Sequence, residues 1–375
     1  MIYLDYSANT PVDEAVLERF CAVERSCPGN ANSRHQAGAA AKAAIDEATQ
    51  SIARSLNVQP AEIIYTSGAS EANNFALKSI ARLERHHGKH IISTPLEHSS
   101  VSGTLTALQE QGYEIDLVDI KQDGTVDLAH LRELLRPDTI LVAVTAVDSE
   151  LGVVQPVTEI AALLKDYPHC HLHVDATQAV GKLPLPSFEG IDTLSLTAHK
   201  FYGLNGIGVL VKRRGLALEP LIHGGESTTI YRSGTPTVAL AASLETALNS
   251  AVNELPERSA RVKEANLYLR TALSKYPKVR INSPESAIPH ILNLSVENVK
   301  GTVFQRELDA EGVCVSVKSA CSSDGLPSRA VFAVSRDRKN ALSSWRISLS
   351  HLTTQEELDG FLRAFDACCT RLTQL

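Results

Sequence analysis

The sequence predicts an α/β fold: a large domain around a mostly parallel sheet, and a smaller α+β domain drawn chiefly from the C-terminal third. Three features carry this expectation. Short apolar runs alternate with helix-like stretches through the first two-thirds of the chain, the texture changes near residue 250, and no internal repeat or low-complexity linker breaks the pattern.

In chain order, residues 37–56 are Ala-rich with apolar residues at helical spacing, and they lead into the strand-like run Ile63-Ile64-Tyr65. Further short apolar runs occur at His90-Ile91-Ile92, Ile140-Leu141-Val142-Ala143-Val144, His171-Leu172-His173-Val174 and Ile207-Gly208-Val209-Leu210-Val211. Runs this short and this apolar are typical of strands buried on both faces, hence a largely parallel sheet. A long charged amphipathic stretch, 254–276, then opens a series of shorter strands and helices ending at Leu375. The expected division is 16–252 for the large domain, and 1–15 with 253–375 for the small one.

Of the 375 residues, 43% are hydrophobic, enough for a substantial core. Lys and Arg number 36 against 43 Asp and Glu, a net charge of −7, so no global basic field draws the chain directly to nucleic acid. The seven cysteines (Cys21, Cys27, Cys170, Cys314, Cys321, Cys368, Cys369) show no C-x-x-C spacing. That argues against a disulfide framework and a structural zinc site, and fits a reducing cytoplasm. The start, Met1-Ile2-Tyr3-Leu4-Asp5, reads as folded chain and no apolar run reaches bilayer-spanning length, so secretion and membrane insertion are not expected.

Three segments carry chemistry. Tyr65-Thr66-Ser67-Gly68-Ala69-Ser70-Glu71 lies between a predicted strand and a helix beginning near Ser70, where backbone N–H groups and the Ser70 hydroxyl can face an anion. Alone, it is equally an ordinary serine cap. His173-Val174-Asp175-Ala176-Thr177-Gln178 puts Asp175 at a strand's C-terminal end, where open α/β sheets bind ligands, although an isolated buried Asp is more often paired with an Arg. Ser195-Leu196-Thr197-Ala198-His199-Lys200 ends a mostly apolar run in a lysine, and a lysine drawn inward becomes an amine nucleophile suited to Schiff-base formation. Together they supply what pyridoxal phosphate (PLP) needs: an anion site, a partner for the pyridine nitrogen and an amine.

With these segments in place, the chain resembles the NifS and IscS type cysteine desulfurases of the class V aminotransferase group along nearly its whole length. The matching stretches are Tyr3-Leu4-Asp5-Tyr6-Ser7-Ala8, Thr66-Ser67-Gly68-Ala69-Ser70-Glu71, Glu97-His98, His173-Val174-Asp175-Ala176-Thr177-Gln178, Ala198-His199-Lys200, Arg232-Ser233-Gly234-Thr235 and Ser319-Ala320-Cys321. The resemblance implies the aspartate aminotransferase-like fold type I. It further implies Lys200 as the residue carrying the cofactor, Asp175 on the pyridine nitrogen, His98 stacked over the ring and Gln178 near the phenolic oxygen. Ala69, Ser70, Thr197 and His199 would surround the phosphate, with Thr235 reaching it from a second subunit, hence a homodimer.

Cys321 stands among Ser, Asp and Gly residues that read as a loop, whereas Cys314 between valines suits a structural role. By resemblance, Cys321 accepts sulfur from L-cysteine as a persulfide, leaving L-alanine, while Lys200 moves the Cα proton and His98 assists. Arg346, inside Ser344-Trp345-Arg346-Ile347-Ser348-Leu349, is expected to clamp the substrate carboxylate. A protein sulfur acceptor, serving Fe–S cluster assembly or tRNA thiolation, would follow. Three departures from the family pattern cluster at the site. Asp148-Ser149 stands where two asparagines are usual, leaving Ser149 to supply the second one's ring-oxygen contact; Glu226-Ser227-Thr228-Thr229 replaces a segment with an Arg; and Lys318 replaces a Gly. Two other readings keep the same residues: another PLP reaction, such as transamination or selenocysteine lysis, and a low-activity PLP-binding scaffold for a sulfur relay.

Overall fold

The computed structural model describes residues 1–184, 189–318 and 325–373; Cys321 lies outside the described residues. The strands are β1 (Ile2–Tyr3), β2 (Ile63–Thr66), β3 (His90–Ser93), β4 (Glu114–Leu117), β5 (Thr139–Thr145), β6 (His171–Asp175), β7 (Thr193–Thr197), β8 (Gly208–Lys212), β9 (Val279–Ile281), β10 (Ile291–Val296), β11 (Val313–Cys314) and β12 (Ser344–Ser348). The helices are α1 (Glu14–Ser26), α2 (Gln36–Leu56), α3 (Ala69–Glu84), α4 (Ser99–Glu110), α5 (Leu128–Leu134), α6 (Val157–Leu164), α7 (Val238–Asn253), α8 (Leu255–Leu273), α9 (Gly301–Ala310), α10 (Arg329–Ser335), α11 (Arg338–Ser343) and α12 (Gln355–Thr373). Among the described residues, no helix is long and apolar enough to cross a membrane.

Seven strands form one sheet in the order β2-β8-β7-β6-β5-β3-β4. Only β8 runs against its neighbours, β2 and β7; the other pairings are parallel. Strands β5, β7 and β8 are buried at every residue, which is why β5 and β8 stand out as apolar runs. Strand β4 does not, because its four residues are exposed or half-buried at the sheet edge and two of them are acidic. The parallel arrangement brings the C-terminal ends of β3, β5, β6 and β7 to one edge, and the turn leaving β2 joins them there.

A second core forms around the antiparallel sheet β12-β10-β9 and the parallel pair β1-β11. Its centre is aromatic: Phe304 stacks on Trp345 with ring centroids 5.1 Å apart, and Phe361 and Phe365 close around them. Leu4 is fully buried in this core and Ile2 packs against it, so the first residues of the chain join elements made more than 300 residues later. Ile288, Ile291, Val331 and Ala341 instead pack into the core beneath the large sheet.

Because Phe304 is buried on all sides, its truncation leaves a cavity that the surrounding rings cannot collapse into. Phe304→Ala is expected to lower unfolding free energy by about 3–5 kcal/mol, read from urea denaturation.

Candidate active site

A cavity of about 330 Å³ opens at the C-terminal edge of the parallel strands. Lys200, Asp175, Gln178, His98, Ser149, Thr197, His199 and Arg346 all line it, as do Ala69 and Ser70. The sequence-predicted residues are thus brought to one place, apart from the exposed Thr235, which is not part of the wall, and Cys321.

The anion-facing corner is built by a helix start. Helix α3 begins at Ala69, and its cap is Gly68 with φ 154°, which supplies no side-chain hydrogen bond. Ser70 therefore lies inside the first turn and is not the cap. The first N–H groups of α3 are left to the cavity, the geometry that favours a bound phosphate. Strand β8 leans directly on this turn: a Cβ added to Gly208 would lie 2.6 Å from the Leu196 carbonyl oxygen and 2.7 Å from the Gly68 Cα. Thr197 Oγ1 donates to the Ile207 carbonyl at 3.1 Å and lies 3.1 Å from His199 Nδ1. Burial first, then Lys200 and Lys182, push the His199 pKa down to about 4.

One turn into α3, buried Asn73 organises the centre of the site. Its Nδ2 donates to Asp175 at 2.8 Å and to Ser100 Oγ at 2.9 Å. Its Oδ1 accepts from Ser195 Oγ at 2.5 Å and lies 2.9 Å from His173 Nε2. The other Asp175 oxygen accepts from the Thr177 N–H at 3.0 Å. Asp175 is therefore a buried carboxylate held by neutral donors, not by an arginine. His98 caps α4 through Nδ1, which accepts from the Ser100 N–H at 3.2 Å. Burial lowers its pKa, with Asp175 opposing the shift and Lys200 adding to it.

Lys200 ends the short 3-10 turn after β7, and its Nζ donates to the Ser7 and Ala8 carbonyls, both at 2.7 Å. Gln178 Nε2 donates to the same Ser7 carbonyl at 2.9 Å, and Lys182 Nζ donates to Gln178 Oε1 at 2.6 Å. Lys182 is buried, and its pKa lies well below the ordinary lysine value, through burial first and then Lys200 and Arg346. Sequence reasoning missed Asn73 and Lys182; their only local signals are an amide just inside a helix and a lysine after a Gly.

Arg346 on β12 is 1% exposed. Its Nη1 donates to the Ser149 carbonyl at 2.6 Å and Nη2 pairs with Asp5 at 2.9 Å, while Nε has no partner among the described residues. Ser149 thus meets Arg346 through its main chain. The neighbouring Asp148 is buried, accepts from the Leu151 N–H, and has its pKa raised to about 7 by burial and then Glu150. Arg232 Nε pairs with Glu71 at 3.0 Å, tying the segment that leads to Thr235 to the first turn of α3. Burial alone would raise the Glu71 pKa, but the Arg232 and Ser67 hydrogen bonds outweigh it and the pKa is lowered.

The donor set fits PLP. A helix start without a side-chain cap suits the phosphate, the buried carboxylate suits the ring nitrogen, and the lysine amine suits the aldehyde. Gly68 leaves no side chain in the wall of the phosphate corner.

Behind Lys200 lies a small polar chamber lined by Lys182, Tyr202, His290 and His351. Burial, then Lys182 and His351, push the His290 pKa from 6.5 down to about 3. Between those values the unfolded chain binds more protons than the folded one, so His290 costs stability increasingly as pH falls below 6.5. His290→Gln is expected to lose less stability than the parent between about pH 7 and about pH 4.5, measured by urea unfolding without cofactor. Parallel pH profiles for the two chains would refute this.

The family described as "Aminotransferase class-V" matches residues 2–361. A cysteine desulfurase IscS from Proteus mirabilis is 40% identical, covering 100% of this chain and 94% of its own length. One from Dictyoglomus turgidum is 36% identical over 99% of this chain and 95% of its own. Among solved structures, a "NIFS-LIKE PROTEIN" superposes with a TM-score of 0.93 at 33% identity, over 99% of this chain and 100% of that one. DndA from Streptomyces lividans gives 0.79 at 33% identity, over 93% and 99%. End-to-end likeness in sequence and fold, with a cavity suited to the cofactor, places the chain in the cysteine desulfurase branch of the class-V aminotransferases, a family of PLP-dependent enzymes.

Proposed function

We propose that this protein converts L-cysteine to L-alanine and takes up the sulfur on Cys321 as a persulfide for onward transfer. The observation that carries the reading is the backbone pairing of Ser316 with Arg346, N–H to carbonyl at 2.6 and 3.2 Å. It fixes the start of the cysteine segment against the cavity wall. Cys321 follows Ser316 by five positions in the sequence, and a fully extended chain of that length spans at most about 18 Å. An amino-acid carboxylate meets Arg346 there, through the guanidinium edge that carries the unpartnered Nε.

The residues divide the work. Asp175, Gln178, the first turn of α3, Thr197 and His199 would hold PLP, with Lys200 as the amine that would carry it. When bound, the cofactor supplies a sink for the electron pair released at the substrate Cα. Lys200 takes the Cα proton and returns one to the product, and His98, kept neutral by burial, relays protons beside it. The Cys321 thiolate attacks the substrate sulfur: an S–S bond forms, the substrate C–S bond breaks, and its electron pair stays on carbon, where a proton completes alanine. No external oxidant is consumed.

The exposed Thr235 fits a role across a homodimer interface, contacting the phosphate of a second copy. A sulfur-acceptor protein, for Fe–S cluster assembly or tRNA thiolation, is the natural consumer of the persulfide. The six described cysteines are free thiols, which supports a reducing compartment such as the cytoplasm. Burial of Leu4 in the second core supports reading 1–15 with 253–375 as one domain and 16–252 as the other.

The test compares the parent with Cys321→Ala and Lys200→Ala, each incubated with PLP and cysteine, following cofactor absorbance, alanine and protein-bound persulfide. Cys321→Ala should bind cofactor normally yet form neither alanine nor persulfide, and Lys200→Ala should lower turnover by about 10²–10⁴-fold. Equal alanine from the parent and Cys321→Ala would assign the site to another PLP reaction. A normal cofactor spectrum with no turnover in the parent would make it a scaffold.

A further inference from the structure

The N-terminal edge of the large sheet, away from the cavity, carries a second group of ligating side chains that the reaction does not use. Glu84 ends α3, His87 follows in the turn before β3, His169 precedes β6, and His171 is the first residue of β6. One ligating atom each from Glu84, His87 and His169 lie within 4.8 Å of one another. The two imidazoles stack at 3.6 Å with their planes 9° apart, and Glu84 Oε2 lies 2.8 Å from His87 Nδ1.

The cluster is backed by half-buried supports. Glu84 Oε1 lies 3.5 Å from His171 Nε2, and His171 Nδ1 lies 3.2 Å from Asp192 Oδ1. Asp192 is fixed in turn by the Leu172 N–H at 2.8 Å. A half-buried carboxylate oriented by a histidine, itself oriented by a second carboxylate, is the outer-shell pattern of metal centres. Cys170, between the two histidines, is buried in the apolar core instead.

We propose that Glu84, His87 and His169 bind a first-row divalent transition ion, Zn²⁺ foremost. Two imidazoles and one carboxylate are a borderline donor set suited to Zn²⁺, Ni²⁺ or Cu²⁺ and poorly suited to Ca²⁺ or Mg²⁺. Metal–ligand bonds of about 2.0–2.2 Å require the three atoms to draw in by on the order of 1 Å. His87 and His169 are exposed, so their rings can unstack and converge at little cost, while Glu84 stays held from behind. Three protein ligands leave the fourth position to water. The ion clamps the α3–β3 turn to the segment entering β6, separately from the cofactor.

The test is equilibrium dialysis of the full-length, PLP-loaded protein against Zn²⁺ alone, with Co²⁺ as a spectroscopic probe of ligand type. The parent and Cys321→Ala are expected to bind one Zn²⁺ per chain equally, with a Co²⁺ spectrum free of thiolate charge-transfer bands. His87→Ala and His169→Ala should each weaken binding at least tenfold, and replacement of the neighbouring exposed His86 by Ala should not. Thiolate bands, loss of binding in Cys321→Ala, or an equal loss in His86→Ala would overturn the proposal, as would unchanged affinity in both ligand variants. Unaltered cofactor absorbance in every variant guards against misfolding.

Discussion

The close approach of β8 to the turn before α3 is the constraint on which the site rests. Gly208 has no room for a Cβ against Gly68, and that contact sets where α3 begins. From this start the first turn of α3 serves three ends: its N–H groups face the anion corner, Glu71 grips Arg232, and Asn73 reaches Asp175, His173 and Ser195. A shift of the helix by part of a turn would uncouple all three. The rigid, fully buried strands on either side prevent that shift.

Arg346 connects the two cores. It stands on β12 of the small sheet, yet it is bonded to Asp5 near the chain start and to the Ser149 carbonyl beyond β5. A buried guanidinium left without its carboxylate would cost several kcal/mol, so Asp5 keeps the cation in place when no substrate is bound. Asp5 thus already occupies part of the guanidinium that the proposed substrate carboxylate would use. The arrangement suits an enzyme that must release its product.

The large sheet was legible because strands buried on both faces leave continuous apolar runs, and Asp175 and Lys200 were legible because each ends such a run. The edge strand β4, with its acidic residues, leaves no such trace. Asn73 was not legible either: an amide in the first turn of a helix looks like a surface residue until the sheet closes over it. The serine cap, one of two readings near Ser70, gave way to Gly68, whose φ of 154° favours a glycine. The partner of Arg346 lies 341 residues away, and no local pattern encodes a contact at that separation.

The placement of the first residues bears on how the protein is made. Lys200 reaches the Ser7 and Ala8 carbonyls across more than 190 residues, and Ser348 donates its N–H to Leu4. While the ribosome is still working, residues 2–4 lack the strands they pair with, since β11 and β12 come from the last fifth of the chain. The large sheet can assemble early, domain-wise, as the chain emerges. Asp5 gains its partner Arg346 only after synthesis of β12, whereas Ser7 and Ala8 meet Gln178 and Lys200. An unfinished chain therefore holds Lys200 in a cavity that still lacks its Arg346 wall.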